Sequence, residues 1–138
     1  MKSILFVCTG NTCRSQMAEG LARRLGWKAY SAGVEPSEEV NPYAVRVMAE
    51  IDIDISENQP KDLHQFLAKD LDVIVTLCDH ANETCPVFTG RYQDKIHQGF
   101  TDPYGTKGTD EEITDVYRQT RNDIQNWLES LSVKYLIN

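Results

Sequence analysis

The stretch FVCTGNTCRSQMAEG, residues 6–20, is the most informative part of the sequence about the fold, because it joins an apolar strand directly to a helix. Residues 3–8 (SILFVC) are a short apolar run of the kind that forms a buried parallel strand. A helix is predicted over 15–26, with apolar residues at helical spacing and a glycine at its end. A structural turn needs neither the thiol of Cys8 nor the guanidinium of Arg14, six positions later. The junction therefore indicates a reactive site as well as a connection between a strand and a helix.

Strands and helices alternate along the rest of the chain. Further strands are predicted at 27–34, 72–77 and 95–100, and further helices at 41–51, 60–69 and 110–131. Residues 79–94 are polar and rich in turn formers, so they are predicted to be a loop. The alternation predicts a single α/β domain over 1–138, with a four-stranded parallel sheet flanked by helices on both faces, a Rossmann-like arrangement.

Sites in such sheets lie beyond the carboxyl ends of the strands. Cys8, Cys78 and the loop that contains Asp102 each follow a predicted strand, so they are expected to meet on one rim.

The charge balance restricts the classes of partner. Fourteen Lys and Arg residues against 21 Asp and Glu residues give a net charge of -7. Nucleic-acid and anionic-membrane binders need a basic face, so we expect neither kind of partner. No apolar run is long enough for a membrane span or a signal peptide. We expect a cytoplasmic monomer whose four cysteines are reduced.

The loop from Cys8 to Ser15 has the spacing C-x5-R-S and leads into a helix N-terminus. Successive backbone N–H groups in such a loop form an anion-binding nest, and Arg14 offers a planar fork for two oxygens of a tetrahedral oxyanion. The same positive field favours a thiolate at Cys8, and Ser15 can donate a hydrogen bond to the sulfur. The alternative, a buried cysteine beside a surface arginine, explains the combination less well. The predicted anion-binding residues are Thr9, Gly10, Asn11, Thr12, Cys13, Arg14 and Ser15.

A second pair of cysteines follows the strand at 72–77. Cys78 ends the strand and Cys85 lies seven residues later in a polar segment. A zinc site built from all four thiols is disfavoured because structural zinc prefers cysteines two to four residues apart. A polar loop is also a poor place to bury inert sulfur, which favours accessible, mobile thiols. Thiols in series can pass an oxidation from a deep site to an exposed one.

Asp102 precedes Pro103 on a predicted loop. A carboxyl group held near a bound anion can act as a general acid for the departing oxygen. A turn-forming aspartate, which is common before proline, is the alternative.

Taken together, FVCTGNTCRSQMAEG resembles the low-molecular-weight protein tyrosine phosphatases, and CRSQMAEG is closer to the thioredoxin-coupled arsenate reductases built on that fold. YSAG, DIDIS, VTLCDHANETCP and the DP before the last helix extend the resemblance over most of the chain. The resemblance implies a low-molecular-weight phosphatase-like fold that reduces arsenate to arsenite. It also implies that Cys8 is the nucleophile, Cys78 the first resolving thiol and Cys85 the last, with Asp102 as acid. Thioredoxin is the expected reductant, and no bound cofactor is expected.

The reductases that this chain resembles often hold a potassium ion beside the anion loop. Asn11 and Ser31 match positions near that ion, but Lys61 stands where an acidic ligand is common. Its ammonium can substitute for the ion, so no metal is expected; a solvated lysine is the alternative. The three histidines form no ligand pattern and are expected at the surface: His64, His80 and His97.

Two other functions remain open from the sequence. A low-molecular-weight protein tyrosine phosphatase would use Cys8, Arg14 and Asp102, with Tyr104 gripping an aromatic ring, and would not need Cys78 or Cys85. A thiol-based sensor would signal through the second cysteine pair without turning over any oxyanion.

Overall fold

A computed structural model describes residues 1–136 of the chain. Strands and helices alternate as predicted. In chain order the elements are β1 Ser3–Cys8, α1 Arg14–Arg24, β2 Lys28–Gly33, α2 Pro42–Ala49, a 3₁₀ turn at Leu63–Phe66, β3 Val73–Thr76, α3 Asp79–Thr84, β4 Asp94–His97 and α4 Asp110–Leu136. Within this described part, no helix combines the length and the apolarity that a membrane span requires.

The four strands form one parallel sheet in the order β2-β1-β3-β4. Cys8 at the end of β1 is in register with Gly33, and Val7 is in register with Thr76. Thr76 is in turn in register with His97 at the end of β4. The carboxyl ends of all four strands therefore share one edge, and the predicted four-stranded parallel sheet is confirmed.

Helices cover both faces of the sheet, as predicted. Side chains along β1 alternate between the two faces, as the strand period requires. Ile4 and Phe6 belong to the larger core with residues of α1, α2 and α4. Leu5 and Val7 belong to the smaller core, with the 3₁₀ turn and Ala81 of α3. The chain thus forms a single three-layer α/β domain.

The prediction of a continuous loop at 79–94 was wrong, because α3 occupies Asp79–Thr84. The backbone N–H of Asn82 donates to the carbonyl of Cys78 at 3.1 Å and closes the first turn, while Ala81 is buried. A helix of six residues with one buried side chain has an almost wholly polar sequence, so its composition resembles that of a loop.

The helix predicted at 60–69 is only a 3₁₀ turn at Leu63–Phe66. Asp62 caps this turn by accepting a hydrogen bond from the backbone N–H of His64 at 2.9 Å. The backbone N–H of Gln65 donates to the carbonyl of Asp62, the i to i+3 pattern that defines a 3₁₀ turn.

Candidate active site

The loop between β1 and α1 is held in place by hydrogen bonds that its carbonyl groups accept on the outer side of the loop. Those of Cys8, Thr9 and Gly10 accept backbone hydrogen bonds from the segment Val34–Ser37 at 3.1, 2.9 and 2.9 Å. In a trans peptide the following N–H points opposite to the carbonyl. The N–H groups of this loop therefore turn toward its centre, where an anion would lie.

Gly33 permits this close approach at the end of β2. A Cβ atom at this position would lie 2.6 Å from the carbonyl oxygen of Thr9 and 3.0 Å from the backbone nitrogen of Asn11. Both neighbours are backbone atoms of the loop, so they cannot move aside without changing it. The loop and β2 can pack together only because residue 33 has no side chain.

The sulfur of Cys8 has two hydrogen-bond donors. Ser15 Oγ lies 2.8 Å away, and the backbone N–H of Asn11 donates to the sulfur at 3.3 Å. Asn11 Nδ2 also donates to Ser15 Oγ at 2.8 Å, which leaves the Ser15 hydroxyl proton free to point at Cys8. Both donors stabilise a negatively charged sulfur, the form that attacks an electrophile.

Asn11 fixes the shape of the loop. Its side chain is fully buried and its φ is 54°, in the left-handed region that asparagine tolerates better than most residues. Asn11 Oδ1 accepts hydrogen bonds from the backbone N–H of Lys61 at 2.8 Å and from Gln16 Nε2 at 3.1 Å. This side chain therefore links the loop to two other parts of the chain.

Arg14 and Asp102 form an ion pair beside the loop. Arg14 is 7% exposed, and its Nη2 lies 3.2 Å from Asp102 Oδ2. Arg14 Nη1 donates to the carbonyl of Phe100 at 3.2 Å, so the segment after β4 orients the guanidinium. The Asp102 side chain is 47% exposed and accepts a hydrogen bond from the backbone N–H of Tyr104. A carboxyl group therefore lies beside the cation that would hold an anion.

A cavity of about 530 Å³ opens over the loop. Cys8 and Arg14 line it together with Asp102 and Tyr104. Its rim also carries carboxylates from the segment after β2: Glu35, Glu38 and Glu39. Because these carboxylates are negatively charged, the positive charge that lines the cavity is confined to the loop, at Arg14.

Cys13 differs from Cys8 although both belong to the loop. The Cys13 thiol is buried and lies 3.6 Å from the hydroxyl of Tyr117 on α4. Burial raises the pKa of Cys13 to about 12, and burial also raises the pKa of Tyr117. Cys13 therefore stays a neutral thiol at neutral pH. Its backbone can still serve the anion nest, since the carbonyl before it accepts a hydrogen bond from the backbone N–H of Asn41 at 3.0 Å.

Cys78 and Cys85 lie on either side of α3. The sulfur of Cys78 is 3.4 Å from Thr9 Oγ1, so the second pair of cysteines begins at the edge of the anion loop. Both thiols are half-buried and so partly accessible, in contrast to the buried Cys8 and Cys13. Each contacts the smaller apolar core, and burial raises the pKa of Cys85.

A buried carboxylate that the sequence analysis missed lies behind the loop. Glu19 is 2% exposed and accepts hydrogen bonds from Ser31 Oγ at 2.9 Å and Asn58 Nδ2 at 3.2 Å. Lys61 Nζ lies 3.8 Å from Glu19 Oε1, and burial lowers the pKa of Lys61. The only sign of this buried carboxylate in the sequence was the position of Glu19, on the side of α1 that packs against β2.

The residues expected near a potassium ion do not fit one in this chain. The ammonium of Lys61 already neutralises Glu19, and it would repel a second cation at the same place. Within residues 1–136, no group of three or more His, Cys, Asp or Glu side chains could hold a metal ion.

The three histidines are exposed, as expected. Each also lies within hydrogen-bond distance of a carboxylate: His64 with Asp62, His80 with Glu35, and His97 with Asp79.

Residues 3–135 match the low molecular weight phosphotyrosine protein phosphatase family. The chain belongs to this family. It is 49% identical over 126 residues to the arsenate reductase of Halalkalibacterium halodurans, covering 89% of each chain. The arsenate reductase of Bacillus subtilis is 42% identical over 134 residues, covering 95% of each. Among solved structures, an arsenate reductase in its phosphate-binding state has a TM-score of 0.82 and 34% identity, covering 97% of this chain and 98% of that one.

Proposed function

We propose that this chain reduces arsenate to arsenite, using Cys8 as nucleophile and Cys78 and Cys85 as a thiol relay that thioredoxin resets. The observation that carries the proposal is the sulfur of Cys78 at the edge of the anion loop, 3.4 Å from Thr9 Oγ1. Hydrolysis of a phosphate ester requires one thiol and an arginine loop, whereas a second thiol beside the first is what a reduction requires. The similarity to proteins named arsenate reductase supports the same substrate.

The first step forms a bond between sulfur and arsenic. Arsenate binds to the inward N–H groups of the loop and to Arg14, which the ion pair with Asp102 keeps oriented. The Cys8 thiolate attacks arsenic(V), and Asp102, which first takes up a proton from solvent as arsenate replaces it beside Arg14, transfers that proton to the oxygen that leaves as water. The product is a covalent Cys8–arsenic(V) adduct with no change in oxidation state.

The second step carries the two electrons. The Cys78 thiolate attacks the sulfur of Cys8, a Cys8–Cys78 disulfide forms, and the sulfur–arsenic bond breaks with its electron pair going to arsenic. Arsenic leaves as arsenite, in oxidation state three, and the two thiols have been oxidised by two electrons. Thr9 Oγ1 is close enough to hydrogen-bond the sulfur of Cys78 in the reduced protein.

The third step requires α3 to open. Cys78 and Cys85 flank the helix Asp79–Thr84, and seven residues at about 1.5 Å per residue separate their Cα atoms by roughly 10 Å. A disulfide requires Cα atoms within about 7 Å. Cys85 can therefore attack Cys78 and release Cys8 only if α3 unwinds, which leaves a Cys78–Cys85 disulfide for thioredoxin to reduce.

A coupled assay tests this sequence of steps. Wild-type protein with arsenate, thioredoxin, thioredoxin reductase and NADPH is expected to oxidise NADPH, whereas Cys8→Ser, Cys78→Ser and Cys85→Ser are not. Hydrolysis of para-nitrophenyl phosphate is the control: the last two variants should retain whatever rate the wild type has, which shows that the anion loop is intact. Multiple turnovers by Cys85→Ser with thioredoxin as sole reductant would contradict the relay.

A further inference from the structure

Four side chains connect α3 to the end of the sheet, and the steps proposed above give them no role. His97 ends β4 in register with Thr76 at the end of β3. Its Nδ1 lies 2.9 Å from Thr76 Oγ1, and its Nε2 lies 3.0 Å from Asp79 Oδ1 at the start of α3. Thr76 Oγ1 also lies 3.3 Å from Asn82 Oδ1, one turn further along α3. We call Thr76, Asp79, Asn82 and His97 the clasp.

The direction of the hydrogen bonds in the clasp depends on the protons of the ring. The Asp79 carboxylate only accepts, so Nε2 of His97 must carry a proton. In a neutral ring Nδ1 is then an acceptor, and the single hydroxyl proton of Thr76 is donated to it. The hydroxyl then has no proton left for Asn82 Oδ1, but a 180° rotation of the Asn82 amide lets Nδ2 donate to Thr76 Oγ1, so the neutral clasp makes three hydrogen bonds.

A protonated ring changes the direction and the charge of these hydrogen bonds rather than their number. Nδ1 now donates to Thr76 Oγ1, and the hydroxyl proton of Thr76 turns to Asn82 Oδ1. The ring then donates on both sides. Nε2 donates to Asp79, and Nδ1 donates to Thr76, whose hydroxyl donates to Asn82. The protonated clasp also makes three hydrogen bonds, two of which hold successive turns of α3, and the one to Asp79 now joins a cation to a carboxylate and is therefore stronger.

The rest of α3 has few other attachments. Ala81 is the buried residue of this helix, and the side chain of Asp79 is 87% exposed. His80 Nε2 lies 3.0 Å from Glu35 Oε1, but this pair is exposed at both ends. The clasp is therefore a substantial part of what keeps α3 helical.

We propose that His97 is a positioning residue of the relay: through Asp79 and Thr76 it keeps α3 helical and Cys85 apart from Cys78, and it holds more tightly when its ring is protonated. The role of this attachment in catalysis rests on the proposed function, because it is the relay that requires α3 to open. The hold itself is a property of the reduced protein and needs no substrate.

The charged groups around the ring come from two elements. α3 contributes Asp79, which contacts the ring, whereas the neighbouring His80 lies against Glu35 of another segment. β4 contributes Lys95, two residues before His97 and so on the same face of the strand. The residues of β3 are uncharged, and Thr76 is the one that meets the ring.

The rate at which iodoacetamide alkylates Cys85 in the fully reduced protein, without arsenate or thioredoxin, measures the opening of α3. Amide hydrogen exchange of residues 79–84 is the parallel measurement. We expect His97→Phe and Asp79→Ala each to accelerate both rates about threefold to tenfold, the effect of losing one or two hydrogen bonds. Glu83→Ala, which removes an exposed carboxylate from the same helix outside the clasp, is the matched control and should stay within about twofold of wild type.

Two further comparisons separate the clasp from a general loosening of the helix. The double variant His97→Phe with Asp79→Ala should be no faster than about the faster single variant, because both changes break one interaction. The ratio of rates between His97→Phe and wild type should be larger at pH 6 than at pH 8.5. Unchanged rates in both single variants, additive effects in the double variant, or a ratio that is the same at both pH values would overturn the proposal. None of these outcomes bears on arsenate turnover, which the cysteine variants test separately.

Discussion

The two cysteine-bearing segments of this protein differ in how firmly they are held. The anion loop, residues 8–14, has its carbonyls bonded to the segment after β2, its Asn11 side chain bonded to two other segments, and Gly33 packed against it. The segment from Cys78 to Cys85 has a six-residue helix with one buried side chain, attached mainly by the clasp. The two segments touch where Thr9 meets Cys78.

This difference matches the chemistry proposed for each segment. A nucleophile and an oxyanion nest act best when their donors are already in place, because no energy is then lost in arranging them. A thiol relay has the opposite requirement, since its last thiol must move through several ångströms and such segments come from the less stable parts of a fold. Rigidity and mobility can therefore be tested side by side in one small domain.

The largest effect is expected at Arg14. Arg14→Lys keeps the charge but loses the planar fork, so the anion can no longer be held by two parallel hydrogen bonds. We expect kcat/KM for arsenate to fall about 100-fold or more, on the scale of losing one transition-state donor. The coupled NADPH assay measures this. Arg24→Lys, at the other end of α1, is the matched control, and an equal loss there would contradict a specific role for the fork.

The next effect concerns the rigidity of the loop. Asn11→Ala removes the hydrogen bonds of a fully buried side chain and places alanine at a φ of 54°. We expect the free energy of unfolding in urea to fall by about 3 kcal/mol.

Asn11→Gly separates the two causes of that loss. Glycine adopts this backbone conformation without strain, so its loss should be smaller by about 1 kcal/mol. Equal losses in Asn11→Ala and Asn11→Gly would show that the conformation of residue 11 contributes nothing to stability.

The smallest effect lies in a region that belongs to neither segment. Glu50 at the end of α2 accepts hydrogen bonds from Arg118 at 2.7 Å and from the buried Arg121 at 2.9 Å. The hydrogen bond from Arg118 lowers the pKa of Glu50 below its ordinary value of 4.5. We expect Glu50→Gln to lower the free energy of unfolding by about 1 kcal/mol at pH 7, a value limited by partial solvent exposure.

This loss has a defined pH dependence. A carboxyl group with a lowered pKa in the folded state stabilises the fold above its unfolded pKa, and the stabilisation disappears as the pH falls through the folded pKa. The difference between wild type and Glu50→Gln should therefore be constant above about pH 5 and vanish in stronger acid. Glu129→Gln, exposed on α4, is the control. A change in Cys85 alkylation in Glu50→Gln would mean that α3 responds to global stability rather than to the clasp.

Local patterns in the sequence predicted those parts of the molecule whose structure depends on residues close together in the chain. Four consecutive apolar residues, 4–7, followed by C-x5-R-S are enough to predict a strand, an anion nest and a helix, because each depends on neighbours along the chain. The start of the helix predicted at 41–51 is another such case, because Asn41 caps α2 by accepting a hydrogen bond from the backbone N–H of Tyr43. α3 was missed because a short helix with one buried residue carries too weak a periodicity.

Patterns along the chain were enough to predict the four strands, the loop with Cys8 and Arg14, and a position near it for Cys78 and Asp102. Contacts between distant parts of the chain bury Glu19 against Lys61, place Cys13 against Tyr117 rather than an anion, and connect His97 to α3. Each of these contacts joins residues 18 to 104 positions apart in the chain. Such contacts depend on the strand order β2-β1-β3-β4 and on how the helices cover the sheet, which no local spacing records.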